Sequence, residues 1–205
     1  MRAASFLPGF SKRTQDNTHG VPARKAVLGV CLAVVLSGMM LPTVAQAYVF
    51  YEKEETRTPA EIRRDEILDM YEGYKKLFFR NVKELTVAEA LQMLRGKKTV
   101  VVDVRENKER EVSMLPLSMG KQDFERQKAK YKDYEVIVYS TIGKRGGIYA
   151  KHLEKEGFQA YNLVGGLLMW VQEGQLIVDT TGPTKRVHVY DKKWDILPED
   201  FEPLY

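Results

Sequence analysis

The stretch "VIVYSTIGKRGGIYAKHL", Val136 to Leu153, sets residues capable of chemistry on a backbone suited to it. A β-rich apolar run, Val136 to Tyr139, gives way to Ser140. A short loop holding Gly143, Lys144 and Arg145 follows, and a helix-like segment starts at once. In such an arrangement the loop N–H groups converge on one point, and the helix dipole adds positive potential there. The loop Ser140, Thr141, Ile142, Gly143, Lys144, Arg145 therefore reads as a cradle for an anion. Its first residue carries a hydroxyl, which becomes a nucleophile only beside a positioned base. Beyond residue 47 the histidines are His152 and His188. His152 lies twelve residues past Ser140, mostly along a helix, which puts it roughly 18 Å away at 1.5 Å rise per residue. His188 sits in a strand-like piece with no motif around it. No cluster of Cys, His and carboxylates has ligand spacing, so neither a metal nor an organic cofactor is expected.

The loop needs a scaffold, and the flanking sequence supplies one. "TVVVDVRE" and "EVIVY" are β-branched runs that read as buried strands, and "FQAYNL" reads as a third. Between them lie helical segments: Val87 to Arg95, begun by the capping pair Thr86 and Glu89; a short one around Phe124 to Tyr131; Gly147 to Glu156; and "GGLLMWVQEG". Strands alternating with helices predict an α/β fold, a parallel sheet flanked by helices. Thr58, Pro59 and Glu61 start an earlier helix, expected to reach Arg80 and to bury a face of Ile62, Leu68, Tyr71, Tyr74, Phe78 and Val82. "TKRVHVYDKKW" alternates like a strand and is expected on the surface of the domain.

The first 47 residues read as an address. A basic stretch with Arg13, Arg24 and Lys25 precedes an apolar run from Ala26 to Leu41, then Pro42 and the triplet Ala45-Gln46-Ala47. This is the order of a secretory signal peptide cut after Ala47; the rival is an uncleaved anchor, since Ala26 to Ala47 is about long enough to span a bilayer. Either way the remainder is expected outside the cytoplasm: secreted across the cytoplasmic membrane into the periplasm, or membrane-anchored and facing it. The leader holds five of the 32 basic residues and one of the 28 acidic ones, so 27 of each remain. The basic balance belongs to the leader, and no nucleic-acid partner is expected. The single cysteine, Cys31, also lies in the leader. The chain from Tyr48 to Tyr205 then has no disulfide and no thiolate, and must rely on a packed core.

Three blocks in order, "VVDVRENKEREVSMLP", "VIVYSTIGKRGGIYAKHL" and "AYNLVGGLLMWVQEGQ", resemble the rhodanese-like domains. The resemblance covers about Leu85 to Val178. It implies a single rhodanese-like domain at 85–178, with a linker and N-terminal amphipathic helix at 48–84 and a C-terminal extension packing on the domain at 179–205. It carries the family's aspartate-x-arginine segment over to Asp103 and Arg105 as supporting residues, with Glu109 at the usual acidic position. Gly165, Gly166, Trp170 and Gly174 match the third block. Met114 and Leu117 depart from the histidine and glycine common near that proline, and Gly146 stands where serine is frequent. Rhodaneses place a cysteine first in the six-residue loop, and its thiolate carries sulfane sulfur as a persulfide. Here Ser140 holds that position.

A thiol near pKa 8.5 is readily ionised by such a ring of donors, whereas a hydroxyl starts too high. No oxygen forms a persulfide. The expectation is an extracytoplasmic rhodanese-like protein without sulfurtransferase activity, serving as a module for a small anion (thiosulfate, sulfate or a phosphate-like group) or for a protein partner, with membrane contact only if the leader is retained. The alternative is a sulfurtransferase-related enzyme or a serine-based hydrolase using the same loop.

Overall fold

The computed structural model describes residues 57–205; the expected leader, Cys31 and most of the linker lie outside the described residues. Helix α1, Pro59–Phe78, begins with a capping box: Glu61 N–H donates to Thr58 Oγ1 (3.2 Å) and Thr58 N–H to Glu61 Oε2 (2.7 Å). Helix α2, Val87–Gly96, repeats it with Thr86 and Glu89. Each box satisfies N–H groups that a helix start leaves without partners. α1 stops at Phe78, two residues short of the expected Arg80, because Phe79 turns into the core and is fully buried. Its buried face also differs from the expected one. Tyr71 is buried, but Ile62 and Phe78 are exposed, and Ile67, absent from the expected set, is buried.

Strands β1 (Glu84–Leu85), β2 (Thr99–Asp103), β3 (Met119–Gly120), β4 (Glu135–Tyr139) and β5 (Gln159–Leu163) form a parallel sheet in the order β1-β5-β4-β2-β3. Helices α3 (Asn107–Val112), α4 (Lys121–Gln127), α5 (Lys144–Lys155) and α6 (Gly166–Gln172) complete the α/β layers. Alternate side chains of the strands serve opposite faces. Val101, Ile137 and Tyr139 join a core with Ile67, Leu163, Leu167 and Leu168, while Val100, Val102, Val136 and Val138 join another with Tyr71, Phe79, Tyr149 and Leu153. Cover on both faces explains why these strands are continuous β-branched runs rather than alternating ones.

α5 starts at Lys144, three residues before the expected Gly147. Gly143 is its N-cap in the left-handed region (φ +93°), and Gly147 N–H already donates to Gly143 O (2.9 Å). The C-terminal piece corrects the sequence reading more strongly. β6 (Arg186–His188) pairs in parallel with β7 (Glu202–Leu204), and Val187, Val189, Trp194, Ile196 and Leu197 are buried in the same core as Ile142 and Leu168 rather than lying on the surface. The alternation was visible in the sequence; that both a partner strand and the loop side of the sheet cover its apolar face is a tertiary fact.

Candidate functional site

In the sheet order, the chain moves outward from β2 to β3 and returns past β2 to β4, so the connections diverge between β2 and β4. The crevice at the carboxyl ends of strands at such a divergence is where open α/β sheets bind ligands. Asp103 and Tyr139 end these two strands and are in register, and Ser140 follows directly. The elements therefore bring the Ser140 loop, the Asp103–Arg105 segment and α3 to one place.

The loop is held from several sides. Leu167 N–H and Leu168 N–H, from α6, donate to Ser140 O (2.9 Å) and Thr141 O (3.0 Å). Gly166 lies so close that a Cβ there would collide with Ser140 O and approach Gly143 N and Thr141 O to 2.9 Å. Gly143 packs on the Tyr71 ring, and Asn162 Nδ2 donates both to Gly143 O (3.1 Å) and to Tyr71 Oη (2.9 Å). Tyr71 in turn donates to Glu84, and burial together with that carboxylate pushes its phenol pKa up, so it stays a donor. None of Tyr71, Asn162 and Tyr139 was singled out from sequence for the site. They read there as core or strand residues, and their polar tips meet the loop only after folding.

Ser140 is 2% exposed, and its Oγ accepts from Gly143 N–H (3.2 Å) and Gly146 N–H (3.4 Å). Among the described residues, the N–H groups of Thr141, Ile142, Lys144 and Arg145 have no protein acceptor. The loop thus keeps its backbone donors. Its cationic side chains are spent elsewhere. Lys144 Nζ lies over the rings of Tyr74 (5.1 Å) and Phe78 (4.7 Å). Arg145 makes a two-pronged pair with Glu109, Nη1 to Oε2 at 2.7 Å and Nη2 to Oε1 at 2.6 Å, and Thr141 Oγ1 also donates to Glu109 Oε1 (3.3 Å). Burial works to raise the pKa of Glu109, but the bonds from Arg145 and from Glu106 N–H hold it below the usual carboxylate range. Arg145 adds geometry to the loop and little net charge.

Asp103 and Arg105 form a separate buried unit under the loop. Asp103 accepts from Arg105 N–H (2.9 Å), Arg105 Nε (3.0 Å), Arg105 Nη2 (2.8 Å) and Tyr139 Oη (2.6 Å). Tyr139 Oη also takes Leu115 N–H (3.1 Å). The pair orders the segment after β2 and, through Arg105 Nη2 donating to Ser113 O (2.5 Å), holds the end of α3 and so the position of Glu109; its hydrogen bonds do not reach the loop. His152 is exposed and meets Glu156, whereas His188 Nδ1 accepts from Tyr190 N–H (3.2 Å), with burial lowering its pKa.

Two further features border the site. In the turn Leu115 to Ser118, Ser118 N–H donates to Leu115 O (3.2 Å) and Leu117 has φ +61°, with its side chain 98% exposed. Proline second and a positive φ third is the pattern of a type II turn, which favours glycine third. Leu117 therefore sits, under backbone strain, where the resemblance led one to expect glycine. On the opposite side Tyr190 lies over Arg145, with the guanidinium 5.7 Å from its ring centroid, and stacks on Trp194 at 5.3 Å. The C-terminal extension thus reaches the loop, a contact no local pattern announces.

The profile of the Rhodanese-like domain family matches residues 86–173. YtwF of Bacillus subtilis, provisionally named a sulfurtransferase, is 28% identical over 97 residues, covering 45% of this chain and 93% of that protein. Among solved structures, a rhodanese-related protein from Thermoplasma volcanium is 23% identical and covers 47% of this chain and 97% of its own (TM-score 0.41). A thiosulfate sulfurtransferase from Pseudomonas aeruginosa is 20% identical, covering 63% of this chain and 25% of its own (TM-score 0.46). The matched segment runs from the N-cap of α2 to the end of α6 and contains the loop, the aspartate-arginine unit and the paired glycines, so residues 86–173 of this chain are a rhodanese-like domain.

Proposed function

We propose that this protein is an extracytoplasmic rhodanese-like module that does not transfer sulfur and that uses the backbone donors of its loop to hold a small oxyanion or an acidic group of a partner. The observation that carries the reading is Ser140: an oxygen stands where a persulfide would need sulfur, and it is already satisfied by Gly143 and Gly146 N–H. The leader pattern in residues 1–47 supports a location beyond the cytoplasmic membrane. A serine hydrolase is disfavoured because the neighbouring bases are engaged: Glu109 by Arg145, Asp103 by Arg105 and Tyr139, and His188 Nδ1 by Tyr190 N–H.

Thermal unfolding in sulfate, thiosulfate and phosphate tests the anion. At 10 mM, an anion with Kd of about 1 mM stabilises the native state by ~1.4 kcal/mol, which raises Tm by about 3–5 °C in a chain of this size. Arg145→Ala alone is a poor control, since it orphans buried Glu109. The double variant Glu109→Gln/Arg145→Met removes the pair as a unit and should keep most of the response if the amides hold the anion. No shift of the wild-type protein with any of the three anions would reduce the module to a scaffold.

A further inference from the structure

We infer that the face formed by the end of α1 and the outer stripe of α5 docks on an anionic lipid bilayer. Lys144, Ile148, Lys151 and Lys155 recur at helical spacing along α5, so they share one stripe, and α1 packs across α5 with the Phe79 ring against Gly147. Phe78 joins the two elements: Lys144 Nζ lies over its ring at 4.7 Å, and Lys151 Nζ donates to its carbonyl at 3.2 Å. Lys76, Leu77 and Arg80 continue the face. Three of its apolar side chains face water, Leu77 at 76%, Ile148 at 44% and Phe78 at 41% exposed.

Along α1, Arg63 and Arg64 are followed by Asp65, Glu66, Asp69 and Glu72, while Lys75 and Lys76 lie in the last turn and Arg80 just beyond it. Among the described residues Lys76, Arg80, Lys144, Lys151 and Lys155 make no salt bridge to a carboxylate. Arg80, Lys151 and Lys155 border a depression of about 340 Å³, and its one carboxylate, Glu154, accepts from Lys83 N–H (3.3 Å). Gathered on one face, Lys76, Arg80, Lys151 and Lys155, with Lys144 beside them over the Tyr74 and Phe78 rings, make a local positive field.

Free inorganic anions would satisfy these cations but have no use for Leu77, Phe78 and Ile148. A bilayer with anionic head groups satisfies both: the ammonium and guanidinium groups meet phosphates while the apolar side chains enter the interface. Leu77 projects from a helix end, a shape that a deformable interface accepts without a matching pocket. The inference is independent of the anion reading of the Ser140 loop.

The test uses the full chain with vesicles of phosphatidylglycerol and phosphatidylcholine, and with vesicles of phosphatidylcholine alone. Lysines are labelled with limiting acetylating reagent and quantified by mass spectrometry. In anionic vesicles Lys76, Lys151 and Lys155 should be protected at least about threefold while Lys108 and Lys193, exposed on other elements, are not; high salt should abolish the protection. The surface variant Lys151→Glu/Lys155→Glu, checked for an unchanged circular dichroism spectrum, should lose Lys76 protection. Equal labelling of the face in both vesicle types, or uniform protection of all lysines through insertion of the apolar leader, would overturn the inference. So would protection that arises only when soluble acidic protein is added.

Discussion

The hydroxyl of Ser140 accepts from Gly143 and Gly146 N–H, the donors that would stabilise a thiolate placed at the same position. The α5 N-terminus and the unshared amides of Thr141, Ile142, Lys144 and Arg145 add to that field. Ser140→Cys should therefore yield a thiol titrating below the free-cysteine value of about 8.5 and some thiosulfate:cyanide sulfurtransferase activity, against none for wild type. The gain should be modest, because Met114, strained Leu117 and Gly146 all depart from the family pattern at the rim. Turnover by wild type would overturn the proposed function. An inert variant whose thiol titrates near 8.5 would show that the amides no longer converge. At this scale the sequence was legible: loop length, Gly143 and the missing sulfur are all readable, because each depends on residue type and local spacing.

At the scale of elements, the loop is a joint among α1, α5, α6 and the ends of β2 and β4. Gly166 is where α6 comes closest, with φ +56° and no room for a Cβ against the carbonyl of Ser140. Gly166→Ala must either strain its own backbone or push the loop away from Leu167 and Leu168 N–H. Urea unfolding should show a loss on the order of 3 kcal/mol, from left-handed strain and a lost buried hydrogen bond together, and the Ser140→Cys/Gly166→Ala protein should lack the activity gained by Ser140→Cys. A loss below about 0.5 kcal/mol, the range of an unremarkable surface change, would mean that α6 does not brace the loop. The paired glycines stood out in the sequence. What they were for did not, since a close approach between residues 26 positions apart leaves no local trace.

For the whole molecule, the domain matched by the family profile ends at residue 173, but its core does not. Ile67 and Tyr71 enter from α1, Phe79 from the residue that ends it, and Val187, Val189, Trp194, Ile196 and Leu197 from the extension. A buried side chain of this kind contributes about 1.5–3 kcal/mol, so losing eight of them costs about 12–24 kcal/mol, as much as or more than the ~5–15 kcal/mol net stability of a typical domain. A fragment of residues 86–173 should accordingly fail to unfold cooperatively and should bind a hydrophobic dye, whereas residues 48–205 should melt in one transition. A cooperative 86–173 fragment would show that the flanks are accessories. The sequence by itself determined the capping boxes, the parallel α/β alternation, the Ser140 loop and its missing thiol, because caps, strand runs and turns are specified by neighbours along the chain. Only the tertiary structure decided that Arg145 is committed to Glu109, that Lys144 leaves the loop for Tyr74 and Phe78, and that Val187 and Val189 are core rather than surface. Ion pairing and burial depend on which distant segments meet, and that is set by how the sheet order and the two flanks close on one another.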